Sequence, residues 1–405
     1  PNRLYKWCPP CCLRVFIVYI LIIFSQKYIM YYLGIVLAII CIIIGIYKVK
    51  YPFWSKQPVF HYHNLKYWMF PPGIIQHDKP EKNKFYNEKI EFSDYFSLDY
   101  SKKLKFIYFI RKNYMPHKHE CYNPPKKGIL NYFKNHNDKS YISLKMENNK
   151  ILGCMSTRPL NCFIKDKKID LHYVDFLCVD SKHRKKGIAP EVIYSHYLNH
   201  RNKHKSVVFL FKREGARTLI VPLTTYYNYM FDITFWDKKV LFDEPMLNSI
   251  LITKNTEYLL HDVWDRLVKS KKFDCMILPN LNHIMKLIYD GQLYVSVTMI
   301  EKEPYDLFFF RNSYTSYEGS NAIECICSFN ETHDSVFTIS FLSALSQLRK
   351  LEKTKKLFIE NIGDNKVLLK NILGRYNPEE KIQTSYYFYN FGYRPFLSND
   401  VFILN

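Results

Sequence analysis

Glycine and acidic side chains are both scarce in this sequence. Only 12 of its 405 residues are glycine, whereas 34 are tyrosine and 30 are phenylalanine, a bias typical of AT-rich genomes such as those of viruses or parasites. The 37 acidic residues are outnumbered by 58 lysines and arginines, which leaves a net charge of +21. Because 48% of the residues are hydrophobic, the chain is not disordered, and its length suffices for two domains and a large core.

Several patterns that would explain so much positive charge are missing. The 11 cysteines are odd in number and scattered, which indicates free thiols in a reducing compartment rather than a disulfide framework. Neither zinc-finger spacing nor an aromatic RNA-binding motif is present, so we expect no nucleic acid partner and no metal. An anionic lipid surface or a polyphosphate ligand suits the charge better, and a membrane-bound nucleic-acid binder stays a distant alternative.

One long uncharged run lies near the N-terminus. Residues Tyr28 to Tyr47 are twenty residues without a charge, long enough to cross a bilayer as a helix. We expect the shorter run Val15 to Phe24 to be at most a re-entrant or interfacial piece. More lysines follow the long run than precede it, which favours a cytoplasmic position for the rest of the chain. The sequence therefore predicts a single-pass, membrane-associated protein with a cytoplasmic catalytic domain; a buried core helix is the alternative.

The stretch Tyr173 to Asn199 has the pattern of a strand, a basic turn and a helix. Apolar residues from Tyr173 to Val179 suit a strand buried on both faces. The turn contains Arg184-Lys185-Lys186-Gly187-Ile188-Ala189, which fits the pattern R-x-x-G-x-A, and Pro190 suits the first turn of a helix. Free N–H groups at a helix N-terminus bind anions, so the pattern predicts a diphosphate site; a basic surface turn is the alternative.

These residues resemble the central motif of N-myristoyltransferases, a branch of the acetyltransferase-like (GNAT) fold: F-L-C-V, a basic stretch, then A-P and a helix. The resemblance implies a bulged strand whose backbone N–H groups, at Phe176 and Leu177, hold the thioester oxygen of myristoyl-CoA. It also implies that Val179 and the turn hold the CoA. The implied turn residues are Arg184, Lys185, Lys186, Gly187, Ile188, Ala189 and Pro190. Gly187 replaces a basic residue of the family but is the residue of the wider acetyltransferase signature.

An N-terminal segment carries the resemblance further. Pro52 to Val59, PFWSKQPV, matches a family segment that is laid over the acyl-CoA. The match implies that Phe53, Trp54 and Gln57 contact the CoA. An aromatic belt at a membrane interface is the alternative for these residues.

The family's peptide-binding motifs are matched only in part. Asn113 and Tyr114 match its N-Y dipeptide, which implies that they bind substrate, but Met115 to Glu120 replaces the acidic loop that follows. This replacement puts the family's preference for a downstream lysine in doubt. In the second half, the resemblance implies peptide binding by Asn361, in an Asn–Asp turn, and by Tyr387, in the motif YYFYNF. The family's G-D-G before that motif is missing.

The C-terminal run Val401 to Asn405 predicts a strand that enters the core. In the resembled family the terminal carboxylate takes the proton from the substrate's N-terminal glycine. The resemblance therefore implies that the carboxylate of Asn405 is the catalytic base; an ordinary buried last strand is the alternative.

We thus expect an α/β (α+β) protein with two tandem GNAT-like halves and a mixed, saddle-shaped sheet, preceded by a membrane segment. The expected domains are a tail and anchor (1–50), a half that binds myristoyl-CoA (51–230) and a half that binds peptide (231–405). The expected function is transfer of a tetradecanoyl group from myristoyl-CoA, as co-substrate, to N-terminal glycine by a monomer with no permanently bound cofactor. The alternatives are a catalytically inactive relative that binds acyl-CoA or peptides, and an N-acetyltransferase that uses a short acyl-CoA.

Overall fold

The computed structural model describes residues 9–69, 72–115, 120–165, 167–205, 207–215, 219–236, 247–317 and 319–405. Residues 116–119, in the segment that replaces the family's acidic loop, lie outside this set. The chain forms two compact units, one that ends at Gln57 and one that runs from Pro58 to Asn405. Every cysteine whose side chain is described is a free thiol, as predicted.

The first unit is dominated by one helix, α1 (Pro9–Lys50), of 42 residues. The run Val15 to Phe24 is a continuous part of this helix and not a separate re-entrant piece, because no proline or glycine interrupts the backbone between it and the longer apolar run. Within α1, Met30–Lys50 is long and apolar enough to cross a membrane by length and composition alone. At about 1.5 Å per residue this segment spans roughly 31 Å, close to the thickness of a hydrocarbon core.

The second unit is built on a mixed sheet, in which the described strands run in the order β17-β10-β5-β6-β7-β15-β8-β14-β13-β12-β11-β9, while β4 pairs with β5 and β2, and β3 pairs with β12. The short strands β1 and β16 pair separately. The strands are β1 (Gly73–Ile74), β2 (Ile90–Asp94), β3 (Glu120–Tyr122), β4 (Tyr141–Glu147), β5 (Lys150–Ile164), β6 (Lys167–Val179), β7 (Phe209–Glu214), β8 (Thr224–Asp232), β9 (Leu247–Leu251), β10 (Cys275–Leu278), β11 (Leu293–Ile300), β12 (Glu303–Tyr317), β13 (Ser320–Phe329), β14 (Lys356–Glu360), β15 (Glu380–Tyr389), β16 (Phe391–Gly392) and β17 (Val401–Ile403).

Helices cover this sheet and begin at recognisable caps; α3, for example, begins after Asp99, whose carboxylate accepts a hydrogen bond from the Lys102 N–H. The helices are α2 (Lys66–Met69), α3 (Tyr100–Asn113), α4 (Lys126–Leu130), α5 (Ile188–Lys203), α6 (Glu257–Lys269), α7 (Leu281–Tyr289), α8 (Asp334–Glu352) and α9 (Asn365–Ile372). Short 3-10 turns lie at Trp54–Lys56, Asn131–Phe133, Ser181–His183 and Ser398–Asp400.

The order of elements repeats once along the chain. The series β2-α3-β3-α4-β4-β5-β6-α5-β7 is matched by β9-α6-β10-α7-β11-β12-β13-α8-β14. In each copy the last two strands are parallel and are joined by a crossover helix, as parallel neighbours require. The predicted α/β fold with two tandem halves is therefore confirmed. The two halves share one sheet, because β15 of the second half pairs with both β7 and β8.

The hairpins of the first half follow the sequence signals closely. Asn148 and Asn149 have φ angles of +46° and +62°, which suit the tight turn between β4 and β5. β5 and β6 form the next antiparallel hairpin, in which Ile164 pairs with Lys167. β5 is continuous over 15 residues, from Lys150 to Ile164.

Helix α5 packs on the first half through buried histidines. His196 lies within hydrogen-bond distance of the Ser143 and Thr157 hydroxyls, at 2.9 and 3.0 Å. The rings of His172 and His200 are 4.5 Å apart, and both His200 nitrogens are buried without a hydrogen-bond partner among the described residues. Burial lowers the pKa of His196 to about 3 and that of His172 to about 4, and it also lowers the pKa of His200. The folded state therefore holds these side chains neutral.

We predict that the fold loses stability in mild acid. Because the folded pKa values lie below the unfolded value of about 6.5, stability is full above pH 6.5 and falls as the pH drops below it. At pH 5 each of the three histidines lowers the free energy of unfolding by about 2 kcal/mol, because each pH unit below the unfolded pKa contributes about 1.4 kcal/mol. Urea unfolding of the full chain in detergent at pH 7.5 and pH 5, followed by tryptophan fluorescence, measures the difference.

The matched variant is His200→Phe, which removes the titrating imidazole but keeps an aromatic ring that packs against Tyr141 and Phe209. We expect it to retain stability at pH 7.5 and to lose less than the wild type at pH 5. Equal free energies of unfolding at the two pH values in the wild-type protein would contradict the prediction.

Candidate active site

Two parallel strands of the first half stop pairing part of the way along. Strands β6 and β7 pair at His172 with Phe209 and at Tyr173 with Leu210. Beyond Tyr173, β6 continues to Val179 and β7 continues to Glu214, with no further pairing between them in the described residues. β7 is held on its other side by β15. The result is a gap between two strand edges, which we call the strand gap.

A β-bulge lies on the β6 side of the strand gap. Leu177 pairs with Met155 and Val174 pairs with Thr157, so three steps along β6 face two steps along β5. The extra residue bends the strand and changes where its peptide groups point. The bulge that the resemblance implies is therefore present.

The surroundings of the bulge differ in one respect from the expectation. The Leu177 side chain is 37% exposed, so the prediction of a strand buried on both faces is wrong at this end, because the strand gap removes the neighbouring strand. The Phe176 N–H donates a hydrogen bond to the Ser156 hydroxyl at 3.2 Å. The role of the N–H groups of Phe176 and Leu177 as thioester donors stays a prediction.

The basic turn follows β6 directly and leads into α5. Gly187 caps the helix with a φ of +79°, a left-handed conformation that glycine adopts without strain. Pro190 is the third helical residue, in the first turn, where a missing N–H costs no hydrogen bond. Lys185 and Lys186 are exposed, and Ile188 is buried under them. The helix therefore presents its positive N-terminal end and two ammonium groups together.

Asn113, the last residue of α3, positions the basic turn through two hydrogen bonds. Its side-chain oxygen accepts a hydrogen bond from the Ser181 N–H at 3.2 Å, and its main-chain oxygen accepts one from Arg184 at 3.1 Å. Asn113 is buried, and these contacts position the turn. Its predicted contact with substrate stays a prediction. Tyr114, the next residue, lines a cavity and has its ring centroid 5.3 Å from that of Phe176.

This cavity, of about 380 Å³, lies beside the bulge and carries unusually many charged groups for its size. Asp175 and Phe176 line it from β6, and Lys212 and Glu214 from β7. Arg311 of β12 and Glu324 of β13 complete its charged lining. We call it the central cavity.

Four of the charged side chains that line the central cavity form ion pairs. Asp175 lies 3.0 Å from Arg158, and Glu324 lies 2.5 Å from Arg311. Lys212 lies 2.8 Å from Glu360, whose other oxygen accepts a hydrogen bond from the Tyr226 hydroxyl at 2.6 Å. Removal of one partner from such a buried pair leaves an uncompensated charge, which costs about 3–5 kcal/mol.

The two carboxylates of the central cavity respond differently to their surroundings. Burial raises the pKa of Asp175, and Arg158 offsets that rise only in part. Burial also disfavours charge on Glu324, but Arg311 and Lys212 outweigh it and hold the pKa of Glu324 below its usual range. Asp175 is therefore the more basic of the two.

The C-terminus lies next to this network. β17 pairs in parallel with β10, and the Leu404 N–H donates to the Ile277 carbonyl at 2.9 Å, so the predicted strand is confirmed. The main-chain oxygen of Asn405 accepts a hydrogen bond from Arg311 at 3.2 Å. Asn405 lines a second, much smaller cavity of about 10 Å³ together with Arg158 and Arg311. The role of Asn405 as a base stays a prediction.

The remaining predicted site residues lie elsewhere. Tyr387 is buried and stacks on Phe211 with 5.3 Å between ring centroids, and the Asn361 N–H donates to the Tyr227 carbonyl at 2.9 Å. Neither Tyr387 nor Asn361 is among the described residues that line the central cavity. Their predicted contacts with the peptide stay predictions.

Phe53, Trp54 and Gln57 belong to the first compact unit. The Gln57 amide donates to the Phe53 carbonyl at 3.2 Å, and the rings of Phe53 and Trp54 lie 5.2 Å apart. Their contact with CoA stays a prediction.

The sequence analysis missed the charged residues of the central cavity. The signal was available for four of them, because a charge within or directly after an apolar strand pattern requires a partner. Asp175 and Glu324 each interrupt such a pattern, and Lys212 and Arg311 each follow one directly.

The second half closes the position that corresponds to the strand gap. β13 and β14 pair from Ala322 with Lys356 to Cys325 with Ile359. Beyond these pairs the buried Asn365 amide donates to the Glu360 carbonyl at 2.8 Å, and its oxygen accepts from the Ser328 hydroxyl at 2.5 Å. Asn365 thus satisfies the polar groups that separation of these two strands would leave open.

Gly153 of β5 allows α5 to approach the sheet, and a β-carbon at this position would lie 2.6 Å from the Ile188 side chain. We predict that Gly153→Ala displaces the start of α5 and destabilises the protein by about 1–3 kcal/mol, as overpacking does. Thermal unfolding of the full chain checks this. The double variant Gly153→Ala/Ile188→Ala removes the clash, so its loss should be smaller than the sum of the two single losses. If the loss of stability in the double variant equals the sum of the two single losses, the contact between Gly153 and Ile188 does not limit the packing.

Comparison with known proteins supports the fold. The sequence matches no protein-family model and no curated protein sequence. The chain is similar in structure to Saccharomyces cerevisiae N-myristoyltransferase with bound myristoyl-CoA: the TM-score is 0.68 at 14% identity, over 86% of this chain and 94% of that one. A structure of the yeast enzyme with myristoyl-CoA and inhibitors gives a TM-score of 0.66 at 14% identity, over 88% and 94%. A tandem GNAT protein from the clavulanic acid biosynthesis pathway gives 0.50 at 10% identity, over 74% and 98%. The chain thus has a tandem GNAT-like fold.

Proposed function

We propose that this protein is an acyl-CoA-dependent acyltransferase that transfers the tetradecanoyl group of myristoyl-CoA to the N-terminal glycine of peptides or proteins. The observation that carries the proposal is the strand gap of the first half, with a bulge on one side and a basic turn at its end. The similarity in fold to the yeast enzyme, whose structure holds myristoyl-CoA, supports the same choice of co-substrate.

The strand gap suits an extended ligand that contains amide groups. Peptide groups on an unpaired strand edge can accept such a ligand much as they would accept another strand. The pantetheine arm of CoA is extended and contains two amides, so it can lie in the gap. Its diphosphate then reaches the N-terminal end of α5, where the free N–H groups and Lys185 and Lys186 bind anions.

The reaction makes three demands on the site. The glycine ammonium, with a pKa near 8, must lose a proton before its nitrogen attacks the thioester carbon. The oxyanion that forms needs fixed donors, for which we propose the N–H groups of Leu177 and Phe176 at the bulge. The Phe176 N–H then exchanges its hydrogen bond to the Ser156 hydroxyl for one to the oxyanion. The acyl chain must be buried, which at about 0.8 kcal/mol per CH₂ supplies on the order of 10 kcal/mol for a tetradecanoyl chain. The carbon–sulfur bond then breaks, and CoA leaves as the thiol.

The proton acceptor implied by the sequence resemblance is the carboxylate of Asn405. In the resembled family, the terminal carboxylate takes the proton from the substrate's N-terminal glycine, so no side chain is needed as the base.

We also propose that α1 anchors the enzyme in a membrane with the second unit on the cytoplasmic side. The length and composition of Met30–Lys50 support the anchor. The excess of lysines after the apolar run supports the orientation. Such an anchor places the enzyme where its lipidated products accumulate.

The direct test is turnover by the full chain in detergent micelles. We expect CoA release with myristoyl-CoA and peptides that begin with glycine, little release with acetyl-CoA, and none when the glycine amine is already acetylated. Release of CoA is followed by its thiol, and the product by mass spectrometry. A preference for acetyl-CoA would instead favour an N-acetyltransferase, and tight myristoyl-CoA binding without turnover would favour an inactive relative.

The basic turn provides a second test. We predict that Lys185→Glu/Lys186→Glu weakens myristoyl-CoA binding roughly 10- to 100-fold, since each lysine can make a charge-assisted contact to phosphate. Calorimetric titration at two salt concentrations measures the affinity and its salt dependence. The matched control is Lys167→Glu/Lys168→Glu, an exposed pair at the opposite end of β6, which should change the affinity less than threefold. Equal losses in both variants would mean that only net charge matters.

A further inference from the structure

Asp175 lies at the candidate active site but has no role in the acyl transfer proposed above. It lies in the bulge segment of β6, between Val174 and Phe176, and its side chain lines the central cavity. Only 9% of that side chain is exposed. A carboxylate so placed is next to the N–H groups proposed as oxyanion donors, and it faces the space in which an amine can reach a thioester held there.

Arg158 fixes the orientation of this carboxylate. The Arg158 Nε donates to both oxygens of Asp175, at 3.0 and 3.1 Å. The guanidinium group lies between the rings of Tyr132 and Tyr173, 5.4 and 5.3 Å from their centroids. With Arg158 bound through a single nitrogen, each Asp175 oxygen keeps lone pairs for another partner.

Asn405 is less well placed for proton transfer. It lines the cavity of about 10 Å³ and is not among the described residues that line the central cavity. Its main-chain oxygen is held by Arg311, which also binds Glu324 at 2.5 Å. A cavity of about 10 Å³ has room for roughly one water molecule, not for a peptide N-terminus.

We propose that Asp175 is the catalytic residue that accepts the proton from the substrate amine. This inference rests on the proposed acyl transfer. The amine nitrogen forms a bond to the thioester carbon, the carbon–sulfur bond breaks, and its electron pair leaves on the CoA sulfur. Before this attack, the substrate ammonium gives one proton to Asp175, which releases it to water. A second proton then passes from the bonded nitrogen to Asp175 and on to the sulfur, so that the products are an amide, CoA thiol and one released proton, and the carboxylate is restored.

Several charged groups face Asp175 and set its proton affinity. Arg158 of β5 and Arg311 of β12 favour its charged form. Lys212 and Glu214 of β7, and Glu324 of β13, line the same cavity with opposite signs. The hydroxyls of Tyr114, Tyr122, Tyr132 and Tyr173 are neutral near pH 7, because burial raises their pKa values.

Burial, the largest influence, raises the pKa of Asp175 above its usual value. A base with a raised pKa loses activity as the pH falls through that value. The rate should therefore show an acid limb at a higher pH than an ordinary aspartate gives, and the limb should belong to Asp175.

The test is Asp175→Asn in the full chain, with the acyl-CoA and peptide that the wild type uses. We expect kcat to fall on the order of 100-fold or more. The affinity for acyl-CoA should change less than threefold, and the acid limb of the pH profile should disappear. The matched control is Asp170→Asn on the same strand, where the side chain is 84% exposed, and it should leave kcat and the pH profile unchanged.

Two further variants separate a catalytic role from a structural one. Asp175→Glu keeps the charge, so it should recover part of the lost rate and restore an acid limb. Addition of two residues after Asn405 tests the rival base. If Asp175→Asn keeps kcat within threefold of the wild type, or if the extension abolishes turnover while Asp175→Asn does not, Asp175 is not the base.

A binding measurement decides the matter if Asp175→Asn does not fold or if the wild type shows no turnover. The wild type, loaded with a thioether analogue of myristoyl-CoA, should bind a glycine peptide with a free amine at least tenfold more tightly than its N-acetylated form. Asp175→Asn, or Asp175→Asn/Arg158→Gln where the single variant does not fold, should lose this preference. An unchanged preference in the variant overturns the inference. Failure of every acyl-CoA to turn over counts against the proposed function alone.

Discussion

The separation of β6 from β7 is the constraint on which the candidate site of this molecule depends. Two parallel strands that pair over their whole length leave no backbone N–H or C=O free between them, so an extended ligand cannot form hydrogen bonds there. Here pairing ends after Tyr173, while β15 keeps β7 in the sheet from the other side. The bulge on β6 then turns its peptide groups, and α5 brings its N-terminus to the end of the same strand. The candidate site has this form because the two strands separate.

The burial of charges around the central cavity also costs the fold free energy. Replacing a buried ion pair by apolar side chains is often neutral or stabilising, so the pairs Asp175–Arg158 and Glu324–Arg311 are not explained by stability. They fit the proposed function, in which the central cavity holds a polar reactant away from bulk water. A low dielectric strengthens each interaction with that reactant and penalises each unpaired charge.

The sequence predicted the local structure well and the tertiary relations poorly. The strand, basic turn and helix around Gly187 follow from apolar patterning and from the residues that begin helices, and the last strand at Val401 follows from its apolar run. The repeat of the two halves has no sequence signal, because it consists of strand pairings between distant segments such as β15 with β7. Asn113 shows the same limit. Its dipeptide with Tyr114 suggested a contact with substrate, whereas its hydrogen bonds to Ser181 and Arg184 depend on a turn some seventy residues away.

One side chain distinguishes the two halves. The amide of Asn365 occupies the place in the second half that remains open in the first, and no basic turn follows β13, where the chain reads Asn330-Glu331-Thr332-His333. A fold built by repetition would otherwise offer two equivalent ligand positions. With one of them closed from within, the proposed function implies one acyl-CoA per chain and saturation along a single, non-cooperative isotherm.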